Sequence, residues 1–314
     1  MKFIERLLLI VMLTFAAVGI VTIFAYSSEK AEVTDENIPP KIGQYSVKAI
    51  KVPDEVSFAG ERMPVENFDV RESLDKELHK VCYWHSETFL YIKRAHRFFP
   101  VIEKILKLHN VPDDFKYLAL GESGLENVTS PAGAKGYWQF LSDSGKEYGL
   151  EINSQVDERY HLEKSTTAAC QYLKKLRKKY GSWALAAAAY NNGQGNLDKQ
   201  ISRQGQNNYY DLLLNSETSR YLYRITAIKL ILEQPENYGF ILDEDDYYKP
   251  LTYKTVVLDS TVNDFAEYAD MQGTNYKLLK IYNPRLRSNE LKNASGKKYI
   301  LKIPESNSRS GLYE

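Results

Sequence analysis

The sequence predicts a mainly α-helical fold with a small α+β unit at its C-terminal end. Three observations carry this. Between about Val70 and Glu233, apolar residues recur at spacings of three and four, the period of a helix with one inward face. Helix breakers punctuate the run at Pro112, Gly124, Gly181, Gly193 and Pro235. Beyond about Asp243 the pattern changes to strand, helix, helix, strand, a small α+β order.

The chain is 314 residues long, enough for two domains, and its 43% apolar content supports a packed core rather than a disordered chain. The 41 basic and 41 acidic residues balance, so no long-range field favours nucleic acid as a partner. Twenty-four tyrosines supply flat apolar faces with hydroxyl tips, which suit sugars as well as ordinary boundary positions. Cys82 and Cys170 make no disulfide framework and read as buried thiols. The five histidines are scattered and no Cys/His spacing suits a metal, so neither metal nor cofactor is expected, and nothing calls for an oligomer rather than a monomer.

In order along the chain, Leu7 to Tyr26 carries no charge and follows Lys2 and Arg6. Such a run, as a helix, spans roughly 30 Å, about a bilayer core. It reads as an inner-membrane anchor with the rest of the chain on the outer, periplasmic side. The alternative is a signal peptide cleaved near Ala25-Tyr26-Ser27, which leaves the chain free in the periplasm. Residues 30–68, with Pro39-Pro40, read as a tether with strand character near Ser46 to Val52. Helical periodicity starts with Leu74, Leu78, Val81 and Cys82 and continues over residues 86–110 through Leu90, Ala95, Phe98, Ile102, Ile105 and Leu106. Pro112 breaks it. Asp113 or Asp114 is placed to cap the next helix, on which Phe115, Leu118, Ala119 and Glu122 share a face until Gly124. A Gly/Ser/Pro loop covers Ser130 to Gly136. Further helices are predicted from about Ser165 to Tyr180, from Trp183 to Tyr190 (nearly all Ala and Leu, hence deeply buried) and from Glu217 to Glu233. Lys254 to Leu258 and Tyr299 to Ile303 read as strands, with short helices at Thr261 to Asp270 and Asn275 to Tyr282 between them. Residues 306–314 form a polar tail.

One acid is out of place. Glu122 shares the apolar stripe of its helix, where partial desolvation raises a carboxyl pKa. An acid that must carry a proton near neutral pH to protonate a leaving oxygen needs such a setting. A lone Glu near a helix end is ordinarily just solvated, so its neighbours decide. These are Glu122-Ser123-Gly124, then Ser130-Pro131-Ala132-Gly133-Ala134-Lys135-Gly136-Tyr137-Trp138-Gln139-Phe140, then Ala189-Tyr190-Asn191-Asn192-Gly193. Together they resemble the three motifs of the lysozyme-like lytic transglycosylases, of the membrane-bound murein transglycosylase D type. The resemblance runs from about Asp69 to Phe240 and takes in Tyr83-Trp84-His85-Ser86, Pro112 to Tyr117, Val156-Asp157-Glu158-Arg159 and Glu217-Thr218-Ser219-Arg220-Tyr221. Gly136-Tyr137-Trp138 departs from the commoner Gly-Leu-Met or Gly-Leu-Trp.

The resemblance implies a lysozyme-like catalytic domain over residues 69–243 acting on peptidoglycan glycan strands. Glu122 is then general acid and afterwards general base. Ser130 and Gln139 bond the sugar's polar groups, Tyr190 sits beside the carboxylate, and Asn191 helps bind substrate; Ser123 and Phe140 are counted with them. Trp138 is read as a core anchor rather than a sugar platform. The muramic acid's own C6 hydroxyl attacks C1 and yields a 1,6-anhydro product without water. Residues 250–305 resemble a LysM module through Val256-Val257-Leu258, Val262 to Ala266, Ile281-Tyr282-Asn283-Pro284 and Tyr299 to Pro304. Such modules bind N-acetylglucosamine chains, and a cap without sugar affinity is the alternative. Two rival functions stay open: a catalytically silent wall-binding protein, and a hydrolytic muramidase whose second carboxylate comes from Asp143, Glu147 or Glu126.

Overall fold

A computed structural model describes residues 48–305, 308–310 and 312–313. The expected anchor and the tether up to residue 47 lie outside these residues. Among the described residues no helix is long and apolar enough to cross a membrane.

The segment expected to be a tether enters the core. Residues 48–52 are not strand; instead β1 (Val56–Phe58) and β2 (Glu61–Met63) pair antiparallel, with Val56 opposite Met63 and Phe58 opposite Glu61. Ala59 and Gly60 both take positive φ (53° and 76°), as a two-residue hairpin turn requires. Val52, Val56, Phe58, Met63 and Val65 are all buried. Phe58 meets Phe115 edge to face at 5.2 Å. Three-residue strands are too short for a visible alternation, which is why the hairpin reads as linker.

The helical lobe comprises α1 (Phe68–Tyr83), α2 (His85–Leu108), α3 (Phe115–Ser123), α4 (Ser142–Glu147), α5 (Leu162–Tyr180), α6 (Trp183–Asn192), α7 (Gln194–Gln204) and α8 (Thr218–Glu233). Along α2 the buried set is Thr88, Ile92, Ala95, Phe99, Ile102 and Leu106, so the inner stripe runs beside Leu90 and Phe98 rather than through them. Asp114 does not cap α3 with its side chain. Its Oδ2 instead accepts from Ala59 N (2.6 Å) and Lys229 Nζ (2.8 Å), tying hairpin, α3 and α8 together. Helix α6 lies between α5 and α8, and Ala184 to Ala189 are all buried; small side chains on every face let both neighbours approach. Helix α7 was not expected. It starts directly after Gly193 and buries only Leu197, so it offers no apolar stripe to read. Cys82 and Cys170 are buried free thiols.

The C-terminal unit is βααβ. Strands β3 (Tyr253–Leu258) and β4 (Tyr299–Pro304) pair antiparallel from Tyr253–Pro304 to Leu258–Tyr299. Between them lie α9 (Phe265–Met271) and α10 (Tyr276–Tyr282), capped by the Asp264 and Asn275 side chains. Helix α9 begins later than predicted because Val262 is held in backbone pairing with Leu291. This unit has its own core, built on Phe265, Leu279, Leu301 and Ile303, and Val156 of the helical lobe belongs to it. Residues 49–314 nonetheless form one compact unit.

Candidate active site

Helix α3 ends where Gly124 adopts φ 61° and its N–H returns to Leu120 O. That stop puts Glu122 in the last turn. Gly121, one residue earlier, faces Ile225 and Ile228 of α8. One turn before Ile225 on α8 stands Tyr221, 1% exposed, whose hydroxyl donates a short hydrogen bond to Glu122 Oε1. As a residue Glu122 is partly exposed, while its carboxyl is enclosed by protein. Burial holds its pKa above the ordinary glutamate value. The Tyr221 bond and the nearby Arg224 charge pull it down, and Glu217 pushes it up. Burial also drives the Tyr190 and Tyr221 hydroxyls well above the usual tyrosine range, with the Glu122 charge adding to it, so both stay neutral donors.

The loop preceding α4 is folded on itself by its own backbone. Ser130 N donates to Ala134 O (2.9 Å), Lys135 N to Phe140 O (3.0 Å), and Gly136 N to Val128 O (3.1 Å). Gln139 sits at φ 48°, a left-handed conformation uncommon for a side-chain-bearing residue. Its Nε2 donates to Gly136 O (2.8 Å) and Val128 O (3.3 Å), leaving Oε1 without a donor among the described residues. Ser130 Oγ accepts from Ala134 N (3.1 Å), which leaves its own proton uncommitted. Both residues are partly exposed.

Tyr190 does not bond the Glu122 carboxyl; its hydroxyl donates to Trp138 O (2.7 Å). Tyr221, not Tyr190, is the direct partner of the acid. Asn191 is tied to the start of α8: its Nδ2 donates to Glu217 Oε1 (3.2 Å) and its Oδ1 accepts from Thr218 Oγ1 (2.8 Å). Two residues counted among the substrate contacts are buried behind the site instead. Ser123 Oγ is spent on backbone, donating toward Ala119 O (3.1 Å) and Tyr137 O (2.9 Å) and accepting from Leu125 N (3.1 Å). Phe140 is 3% exposed and packs against Tyr148, Tyr172 and Tyr190. Trp138 is fully buried, with Nε1 donating to Thr166 Oγ1 (2.9 Å), as a core anchor should be.

The acids weighed as second carboxylates are paired elsewhere or exposed: Glu147 pairs with Lys175, Glu126 with Arg94, and Asp143 is exposed on α4. Glu217 is the acid whose charge bears on Glu122. Neither Glu217 nor Tyr221 stands out from sequence periodicity, although both lie in the quoted Glu217 to Tyr221 stretch. Among the described residues no group of three His, Cys, Asp or Glu could hold a metal ion.

Residues 99–213 match the transglycosylase SLT domain family, and residues 254–307 match the soluble lytic transglycosylase C-terminal LysM-like domain. Glu122, Tyr190 and Asn191 fall inside the first match. The chain is 32% identical over 254 residues to membrane-bound lytic murein transglycosylase D from Escherichia coli strain K12, covering 78% of this chain and 54% of that protein. The same protein from Escherichia coli O6:H1 strain CFT073 matches equally. The chain thus spans about half the length of these curated relatives. The crystal structure of the 70 kDa soluble lytic transglycosylase SLT70 from Escherichia coli aligns with 48% of this chain and 26% of its own, at TM-score 0.37 and 15% identity. Both domain matches fall in order along the chain, which carries a region matching the transglycosylase SLT domain and, on its C-terminal side, a region matching the LysM-like domain.

Proposed function

We propose that this chain is a peptidoglycan lytic transglycosylase that cleaves the β-1,4 bond between N-acetylmuramic acid and N-acetylglucosamine, leaving 1,6-anhydro-muramic ends. One observation carries the reading. Glu122 is a desolvated carboxyl with a raised pKa, held by a neutral tyrosine donor, inside the SLT-domain match. Protonated, it gives its proton to the glycosidic oxygen. As carboxylate, steadied by Tyr221, it takes the proton from the muramic C6 hydroxyl, whose oxygen closes on C1. The C1–O bond to the leaving sugar breaks, a C1–O6 bond forms, and the carboxyl ends as it began. Gln139 Oε1 and the Ser130 hydroxyl are the free polar groups that bind sugar. Asn191 shapes the floor through Glu217.

The charge of Glu217 at Glu122 favours one rival, hydrolysis by a water that Glu217 activates. The relatives are named membrane-bound, which supports the reading of residues 7–26 as an anchor and of the wall-facing, periplasmic side as the place of action. The test is incubation of the full chain with peptidoglycan and mass analysis of the fragments. Anhydro ends, one water lighter than reducing ends and lost in Glu122→Gln, support the proposal. Reducing ends that vanish in Glu217→Gln establish hydrolysis, and no cleavage at all leaves a wall-binding protein.

A further inference from the structure

The LysM-like unit is bonded to the same short segment that holds the site loop. Arg287 N donates to Gln155 O (2.7 Å), Asp157 N to Arg285 O (2.9 Å), and Lys292 N to Gln155 Oε1 (3.0 Å). Between them Val156, fully buried, completes the unit's core. Three residues further on, Arg159 turns the other way. Its Nε and Nη2 clamp Asp157 Oδ1 (2.9 Å) and Oδ2 (2.7 Å), while Nη1 donates to Gly133 O (3.3 Å) and Phe140 O (3.2 Å), either end of the site loop. The two side chains are 5% and 6% exposed. The loop also rests on the Arg159 backbone. A Cβ on Gly136, at φ +76°, would lie 2.0 Å from Arg159 O, closer than any side chain tolerates.

From that loop two carbonyls reach the site: Tyr137 O receives the Ser123 hydroxyl beside Glu122, and Trp138 O receives the Tyr190 hydroxyl. A buried bidentate Arg–Asp pair is a stiff strut rather than a swivel.

We propose that Arg159 is a positioning residue for the site loop, and that the LysM-like unit, docked on Val156, is a structural part of the glycan site rather than an independently tethered sugar binder. The role assigned to the loop rests on the transglycosylase reading. The coupling itself does not. Spatial continuity alone would not establish coupling, so the test measures it.

In the full chain, Val156→Ala loosens the docking, and Arg159→Lys keeps the charge but cannot clamp Asp157 and both loop carbonyls together. Amide exchange over residues 130–140 reads the loop without any need for activity. Each variant is expected to speed that exchange about tenfold while still unfolding in a single cooperative transition, and the double variant to go no further than the faster single one. Initial rates on peptidoglycan should show kcat falling by a similar factor with KM little changed, in each single variant. Exchange over 130–140 unaltered in Val156→Ala, or effects that multiply as for independent sites, would overturn the proposal. If the wild type releases no fragments, the transglycosylase reading fails while exchange still decides the coupling.

Discussion

Replacing Tyr221 by Phe removes one hydroxyl from a fully enclosed ring and leaves its shape in place. What disappears is the donor to Glu122 Oε1. When the carboxyl is ionised this bond is charge-assisted, and such bonds contribute about 1.5–3 kcal/mol. The bond favours the ionised form, so its loss strengthens the proton's hold, by roughly ten- to a hundredfold in binding constant. Burial already raises the Glu122 pKa, and the variant loses the first-ranking influence that opposes it. The alkaline limb of the pH–rate profile for fragment release, set by loss of the acid's proton, should therefore move to higher pH. The plateau rate should fall, because a weaker acid protonates the leaving oxygen less readily and the returning carboxylate lacks its donor. Initial rates on peptidoglycan between about pH 4 and pH 9 give both quantities, with Glu122→Gln as the inactive reference. An alkaline limb that stays in place or moves to lower pH would refute the argument that Tyr221 donates to the working acid.

Three further outcomes follow from the same structure. Because Glu122 has a higher pKa folded than unfolded, stability falls as pH rises from the ordinary value of 4.5 through the folded one; Glu122→Gln should raise Tm at about pH 8, by about 2–4 °C per kcal/mol relieved, with the gain vanishing below the ordinary value, and differential scanning calorimetry at both pH values checks this. Asp157→Ala leaves Arg159 buried without its carboxylate and should cost about 3–5 kcal/mol in denaturant unfolding. Gly136→Ala forces backbone against Arg159 O and disfavours φ +76°, so it should destabilise by more than about 1 kcal/mol and raise exchange in the site loop, whereas Gly133→Ala, with open space around its Cβ, meets only the φ penalty.

Much of this was legible in the chain itself. The i, i+3, i+4, i+7 stripe of Phe115, Leu118, Ala119 and Glu122 already put an acid among apolar neighbours, and Gly124 stopped the helix there, because helical period and left-handed glycine are properties of a few adjacent residues. The Ala-rich α6 and the βααβ order are local patterns of the same kind. Tertiary structure decided who meets whom. Tyr221, 99 residues beyond Glu122, reached the acid only because α3 lies on α8. Ser123 and Phe140, adjacent to key positions in sequence, turned inward instead. The hairpin at Val56 to Met63 and the strut from Val156 to Arg159 were invisible for the same physical reason. Their stabilising partners (Phe115, Leu286, Gly133 and Phe140) are distant in the chain. Periodicity reports which face of an element is apolar, not which neighbour will cover it.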